Sequence, residues 1–171
     1  MVPVAYHRSS HNQIRLRIKR HDSALRLRRH IAEDTLTYKS TEHAYQASKS
    51  LDMNIRRRIK NVTTASEAKS LGRPPDKGGI VILRDDWDKV NRRIMYHINW
   101  QKYQYNKDLR ALLISTDGHV LIEGNYWHDN YWGICFCRSC SAERARENTK
   151  LGDNWLGRIL MNIRERIVIQ L

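Results

Sequence analysis

The 171-residue sequence is short of several things, and each shortage removes a class of protein. No apolar run approaches the roughly 18 residues that a membrane span needs. The first 30 residues hold no apolar segment of the secretory kind. Cytoplasmic residence, away from any membrane, is therefore the expectation. Cysteine is scarce: Cys135, Cys137 and Cys140 are the only three, clustered within one short stretch. An odd, tight set makes a poor disulfide framework and fits a reducing compartment, where thiols stay free or bind metal. There is no Walker loop, Rossmann glycine fingerprint, serine-nucleophile motif or His-Glu-x-x-His sequence. Internal repeats and low-complexity tracts are also missing. What remains open is acid–base or electrostatic chemistry by carboxylates, with no cofactor implied.

Acidic residues are in deficit too, 18 against 31 lysines and arginines, a formal net charge of +13. The excess is uneven. Arg8, Arg15, Arg17, Lys19, Arg20, Arg26, Arg28 and Arg29 face Asp22 alone, so residues 1–30 carry +7 of the total. A basic surface suits a phosphate-bearing or polynucleotide ligand. The composition is otherwise that of one globular domain, 40% hydrophobic and 29% charged.

Residues 14–20, IRLRIKR, alternate apolar and basic side chains, as a half-exposed strand or a basic tail would. DTLTYKS at 34–40 leans towards strand. The pattern then predicts helices. The first spans 41–51, with Ala44, Ala47 and Leu51 on one stripe and Glu42, Tyr45, Gln46 and Lys49 on another. His43 points about 100° from Glu42, so the two are no ready-made dyad. Thr64 and Glu67 form a capping-box pattern, and Gly72 sits where a C′ glycine belongs. A loop follows at 73–79. A helix from Asp85 or Asp86 to about Tyr96 carries Trp87, Val90, Ile94 and Ile98 as its stripe. Another carries Leu109, Leu112 and Leu113 and ends near the turn at 116–118. Residues 119–124 read as a strand. The last helix bears Leu156, Ile159, Leu160, Ile163 and Ile167.

Four segments are more specialised than a core requires. STEHAYQASK at 40–49 places Glu42 in a helix's first turn, where the dipole favours a carboxylate in its charged form. DDWDKVNRRIM at 85–95 is headed by Trp87, which core packing would equally explain. EGNYWHDNYWG at 123–133 sets aromatic rings among Glu123, His128 and Asp129, a grouping suited to a planar ligand. LGDNWLG at 151–157 can present backbone N–H groups to an anion, or can be a simple N-cap by Asp153 or Asn154. Beside these, CFCRSC at 135–140 could wrap a soft metal with His128 as a fourth ligand. Free thiols are the reading preferred from sequence, with His128, Cys135, Cys137 and Cys140 as metal candidates only. Carboxylates in an aromatic-lined pocket suit cleavage of a glycosidic bond through an oxocarbenium-like state.

Taken in order, YKSTEHAYQASK, AKSLGR, RDDWDKVNRRIM, LRALLISTDGHVLIEG, HDNYWG and GDNWLGRILMNIRE resemble the NADAR (YbiA-like) family over residues 35–167. The resemblance implies an α+β fold, a single compact, mostly helical domain with a small sheet. It implies an N-glycosidase, acting on a ribosylaminopyrimidine phosphate of riboflavin synthesis or on ADP-ribosylated guanine in DNA. The alternative is a weakened or inactive module that binds ADP-ribose or NAD. By this resemblance Glu42 and Asp129 are the catalytic carboxylates, and Trp87, Trp132 and Gly133 line the ligand. Gly152, Asn154, Gly157 and Arg73 lie near its phosphate. No obligate protein partner is implied. Residues 35–171 are read as the family domain and 1–34 as an atypical basic segment. The family's opening Phe-Tyr strand and Ser-Asn-Phe loop have no counterpart there. A divergent N-terminus and a reading frame shifted upstream of HIAEDTLTY both remain open.

Overall fold

The computed structural model describes residues 14–16, 36–147 and 152–170. The atypical segment at 1–34 therefore lies outside the described residues, apart from Ile14–Leu16. The fold belongs to the mostly helical α+β class expected, and among the described residues its small sheet takes the form of two separate two-stranded pairs. The chain divides into two compact units, one over Ser10–Ile94 and one over Met95–Leu171.

In the first unit, β1 (Ile14–Leu16) pairs antiparallel with β2 (Leu36–Tyr38), Ile14 opposite Tyr38. Burial pushes the Tyr38 phenol up to about 12. Helix α1 (Thr41–Ser48) starts at Ser40, whose hydroxyl accepts from the His43 N–H. Ala44 and Ala47 are fully buried, and their small side chains let α2 (Met53–Asn61) and α3 (Ala65–Leu71) pack closely on α1. The expected continuation of α1 to Leu51 is not found. Asp52 instead caps α2, accepting the Asn54 N–H at 2.7 Å, and Leu51 is exposed. Nothing in the hydrophobic pattern predicts α2, because only Arg56 and Ile59 of its side chains are buried. Arg56 belongs there because its Nε donates to the Ser50 carbonyl at 2.6 Å. The capping box of α3 forms as expected, and the Thr64 backbone N–H holds the Glu67 carboxyl below its usual range. Gly72, expected at C′, is the C-cap with φ −71°. A 3₁₀ turn at Pro75–Lys77 follows, and the left-handed glycine there is Gly78, with φ 75°.

Helix α4 (Trp87–Tyr105) is longer than the pattern predicts and passes from the first unit into the second. In the second unit α5 (Lys107–Ile114) packs on α7 (Trp155–Ile169). The predicted stripe of α7, Leu156, Ile159, Leu160, Ile163 and Ile167, is buried throughout and forms a core with Tyr103, Leu113 and Leu121. Arg164, buried on α7, donates through Nη1 to the carbonyls of Thr116 and His119 and so fixes the turn after α5. The strand expected at 119–124 shrinks to β3 (Gly124–Asn125), paired in parallel with β4 (Ile134–Cys135). Side chains take the place of ladder partners upstream. Asn154 Nδ2 donates to the Leu121 carbonyl at 2.8 Å, and Asn154 Oδ1 accepts the Glu123 N–H at 3.0 Å. Helix α6 (Arg138–Glu147) has no apolar stripe to announce it, since Cys140 is its one buried residue.

Candidate active site

The predicted site residues fall into two groups, one in each unit. In the first, Glu42 stands half-buried in the opening turn of α1 and accepts Gln46 Nε2 on Oε1 at 2.8 Å. Tyr45 and Lys49 share its helix face. Trp87 lies against Tyr45, ring centroids 5.3 Å apart, and the Lys49 ammonium is 5.6 Å from the centre of the Tyr45 ring. Burial lowers the Lys49 pKa, while the Glu42 charge opposes that shift. His43 turns inward, away from Glu42. Its Nε2 lies 3.3 Å from the Val62 carbonyl, which can only accept, so that nitrogen carries the proton and Nδ1 faces the Ser40 hydroxyl at 2.8 Å. Burial holds the His43 pKa down. Arg73 is exposed on the turn after α3, its backbone carbonyl accepting the Val81 N–H at 3.0 Å.

Gln46 is the residue in this group that sequence reasoning passed over as a supporting member of the helix face. It is buried, and its Oε1 has no hydrogen-bond partner among the described residues. Gly72 explains its placement. A Cβ at residue 72 would sit 2.0 Å from Gln46 Oε1 and 2.8 Å from Gln46 Cβ. We expect Gly72→Ala to displace the amide from Glu42 at a cost of about 1.5–3 kcal/mol of stability, the value of one hydrogen bond to a charged group. Urea titrations of both proteins would check this.

The second group is built on the loop between β3 and β4. Asn125, almost fully buried, organises it: Oδ1 accepts the N–H groups of Trp127 (3.3 Å) and Asp129 (3.1 Å), and Nδ2 donates to the Asp129 carbonyl (2.6 Å). Asp129 Oδ1 in turn accepts the N–H groups of Tyr131 at 3.1 Å and Trp132 at 2.8 Å. That carboxylate oxygen therefore folds the loop. Trp132 packs its ring edge-on to Tyr131 and against the α7 core. The backbone is crowded here. A Cβ on Gly133 would meet the Glu123 carbonyl at 2.1 Å, and one on Gly152 would meet the Gly133 carbonyl at 2.5 Å. Only glycine permits either approach.

Glu123 is the carboxyl that sequence reasoning noted but assigned no role. Burial, reinforced by the Asp129 charge, pushes it up to about 7 from an ordinary 4.5. A carboxyl that keeps its proton near neutrality can serve as an acid. The shift also has a sign for stability. Below pH 4.5 both folded and unfolded forms are protonated and the group is neutral in effect. Between 4.5 and about 7 the unfolded chain ionises first, so stability falls as pH rises, and above 7 the whole penalty is present. Glu123→Gln mimics the protonated form. We expect it to leave stability unchanged at pH 4 and to raise it at pH 8 by on the order of 1–2 kcal/mol, discounted for partial solvent exposure. Urea titrations at the two pH values would measure this.

Three of the amides in the segment at 152–157 are engaged within the protein. The Asp153, Trp155 and Leu156 amides donate to the carbonyls of Asn130 (2.7 Å), Tyr131 (3.2 Å) and Trp132 (3.0 Å). Asn154 occupies the N-cap position of α7 in left-handed conformation, φ 52°, and its side chain caps nothing in the helix. It bonds Leu121 and Glu123 instead, as above, with Gly157 close beside it: a Cβ there would lie 2.5 Å from Asn154 Nδ2. Next to the loop, His128, Cys135, Cys137 and Cys140 come together, the three cysteines free of disulfides.

Fold and site together describe a mostly helical α+β protein with a glutamate oriented at a helix start beside aromatic rings. The chain belongs to the NADAR domain family, whose model matches residues 7–168, so the match takes in much of the basic N-terminal stretch. It is 37% identical over 135 residues to "N-glycosidase Npun_R5314" of Nostoc punctiforme, covering 77% of this chain and 76% of that protein. It is 31% identical over 140 residues to "N-glycosidase YbiA" of Escherichia coli, covering 82% and 77%. A maize protein, "Riboflavin biosynthesis protein PYRR, chloroplastic", is 33% identical over 141 residues; the match covers 79% of this chain but only 20% of that longer protein. The solution structure of E. coli YbiA superposes with a TM-score of 0.64 at 31% identity, over 80% of this chain and 71% of that one. Among the described residues no helix is long and apolar enough to cross a membrane.

Proposed function

We propose that this protein is an N-glycosidase that hydrolyses the bond between a ribose and a nitrogenous base. Water adds to the sugar's C1′, the C1′–N bond breaks, and the base leaves with a proton. The observation that carries this reading is Glu42: a half-buried carboxylate in a helix's first turn, one oxygen oriented by Gln46, in a chain similar to several proteins named N-glycosidases. An ionised carboxylate so held stabilises the positive charge that develops on the sugar, or activates the water. Tyr45 and Trp87, both buried, pack against each other on the Glu42 face of α1, and in this reading their rings back the departing base. Asp129 Oδ1 and the Asn154 side chain shape the loop and the start of α7, and Gly133, Gly152 and Gly157 permit the close backbone approaches there, which leaves Asp129 as the second carboxylate of this reading. The substrate is a nucleotide-like small molecule such as a ribosylaminopyrimidine phosphate, or ADP-ribosylated guanine in DNA.

The test is a turnover assay on those two substrates, with the released base identified by chromatography and mass spectrometry. Release of base from one of them supports the reading and names the substrate. Folded protein that binds ADP-ribose saturably yet releases no base from either would overturn it in favour of a binding module.

A further inference from the structure

Four soft donor atoms from one continuous stretch of chain meet beside the β3–β4 loop. His128 Nδ1 and the sulfurs of Cys135, Cys137 and Cys140 all lie within 4.8 Å of one another. His128 Nδ1 is 3.2 Å from Cys140 Sγ and 3.5 Å from Cys137 Sγ. Zn–S bonds of about 2.3 Å and Zn–N bonds of about 2.0–2.1 Å place tetrahedral donors about 3.5–3.8 Å apart. The two imidazole–sulfur distances lie close to that spacing, and the remaining donor pairs lie within 4.8 Å, near enough for small side-chain shifts to close them on an ion.

We propose that His128 Nδ1, Cys135, Cys137 and Cys140 bind one Zn²⁺ in a closed structural centre that staples the Asp129–Trp132 loop to the start of α6. The local backbone is arranged for it. His128 has φ 66°, a conformation uncommon for a residue with a side chain, which brings its ring to the sulfurs. Backbone N–H groups are directed at the sulfurs: His128 N–H to Cys135 Sγ at 3.3 Å, Cys137 N–H to Cys135 Sγ at 3.5 Å, and Cys140 N–H to Cys137 Sγ at 3.4 Å. Such bonds stabilise thiolates, the form in which cysteine ligates, and they orient the ligands. Asn130 provides an outer shell, its Oδ1 accepting the Cys135 N–H at 3.0 Å while its Nδ2 faces Cys140 Sγ at 3.8 Å. Arg144 Nη2 ties α6 back to the Cys135 carbonyl at 2.7 Å.

The donor set selects the ion. Three sulfurs and an imidazole are a zinc set; calcium and magnesium require oxygen ligands, and an iron–sulfur cluster ordinarily takes four cysteines. All four positions are supplied by protein, which leaves none for water and makes the centre structural rather than catalytic. On binding, three thiols release their protons to solvent and the imidazole binds in its neutral form. The placement has a consequence for the loop. His128 immediately precedes Asp129, and Cys135 follows Gly133 by two residues, so the ion clamps both ends of the segment carrying Asp129 and Trp132.

The experiment is metal analysis of the full chain after reconstitution with Zn²⁺ and gel filtration, beside the absorption spectrum of the Co²⁺-substituted protein. We expect one zinc per chain, together with a thiolate-to-cobalt charge-transfer band and the intense ligand-field bands of a tetrahedral site. Asn130→Leu, which keeps all four ligands, should weaken Zn²⁺ about tenfold to a hundredfold in a competition titration with a chromogenic chelator. Reconstituted wild-type protein that retains well under one equivalent, or a cobalt complex lacking thiolate charge transfer, would overturn the proposal. Both of those readouts use the unaltered chain, so a variant that fails to fold cannot decide the outcome.

Discussion

Replacing Glu42 by glutamine should lower the rate of base release by about 10²- to 10⁴-fold while leaving the fold intact. The substitution keeps the side chain's length and an oxygen able to accept Gln46 Nε2, so what it removes is the charge. Charge is the feature that stabilises an oxocarbenium-like state or draws a proton from water. Glu42 is only half-buried and sits at a helix start already capped by Ser40, so the stability change should stay below about 1 kcal/mol. The measurement is kcat and KM for the substrate identified above, with a thermal melt of each protein. A fall in kcat with KM little changed places the interaction in the transition state. Activity within about threefold of wild type would remove Glu42 from the chemistry.

The second large effect is one of stability. Asn154→Ala should cost about 2–6 kcal/mol, because it strips hydrogen-bond partners from the Leu121 carbonyl and the Glu123 N–H together, at about 1–3 kcal/mol for each buried group left unpaired. The native residue also holds φ 52°, which asparagine tolerates better than alanine. The loss should appear as a lower urea midpoint with an unchanged slope. Asn154→Asp isolates part of the effect: it keeps the acceptor for Glu123 and turns a carboxylate oxygen towards the Leu121 carbonyl. A cost under about 1 kcal/mol for Asn154→Ala would show that water replaces the side chain.

These two residues illustrate different kinds of legibility. Glu42 stands out in sequence because helix starts have local rules: a capping serine, an acid in the first turn and spacing that aligns Tyr45, Gln46 and Lys49. The same local rules reveal the α3 capping box and the α7 stripe. They do not reveal α2 or α6, whose inner faces carry Arg56, Ile59 and Cys140 in place of an apolar stripe. Nor do they show that Asn154 bonds a segment some thirty residues upstream.

Sequence by itself determined the helical class, the family, the placement of Glu42 and the soft donors of the cysteine cluster, since each is written in residues near one another along the chain. Tertiary structure alone decided that burial pushes Glu123 up to about 7, that Asp129 Oδ1 and the Trp155 and Leu156 amides are taken up in holding a loop, and that His128 reaches three sulfurs. Those facts depend on which groups burial strips of water and on which neighbours then satisfy them. Contacts of that kind are made through space, between residues whose separation along the chain carries no periodic mark.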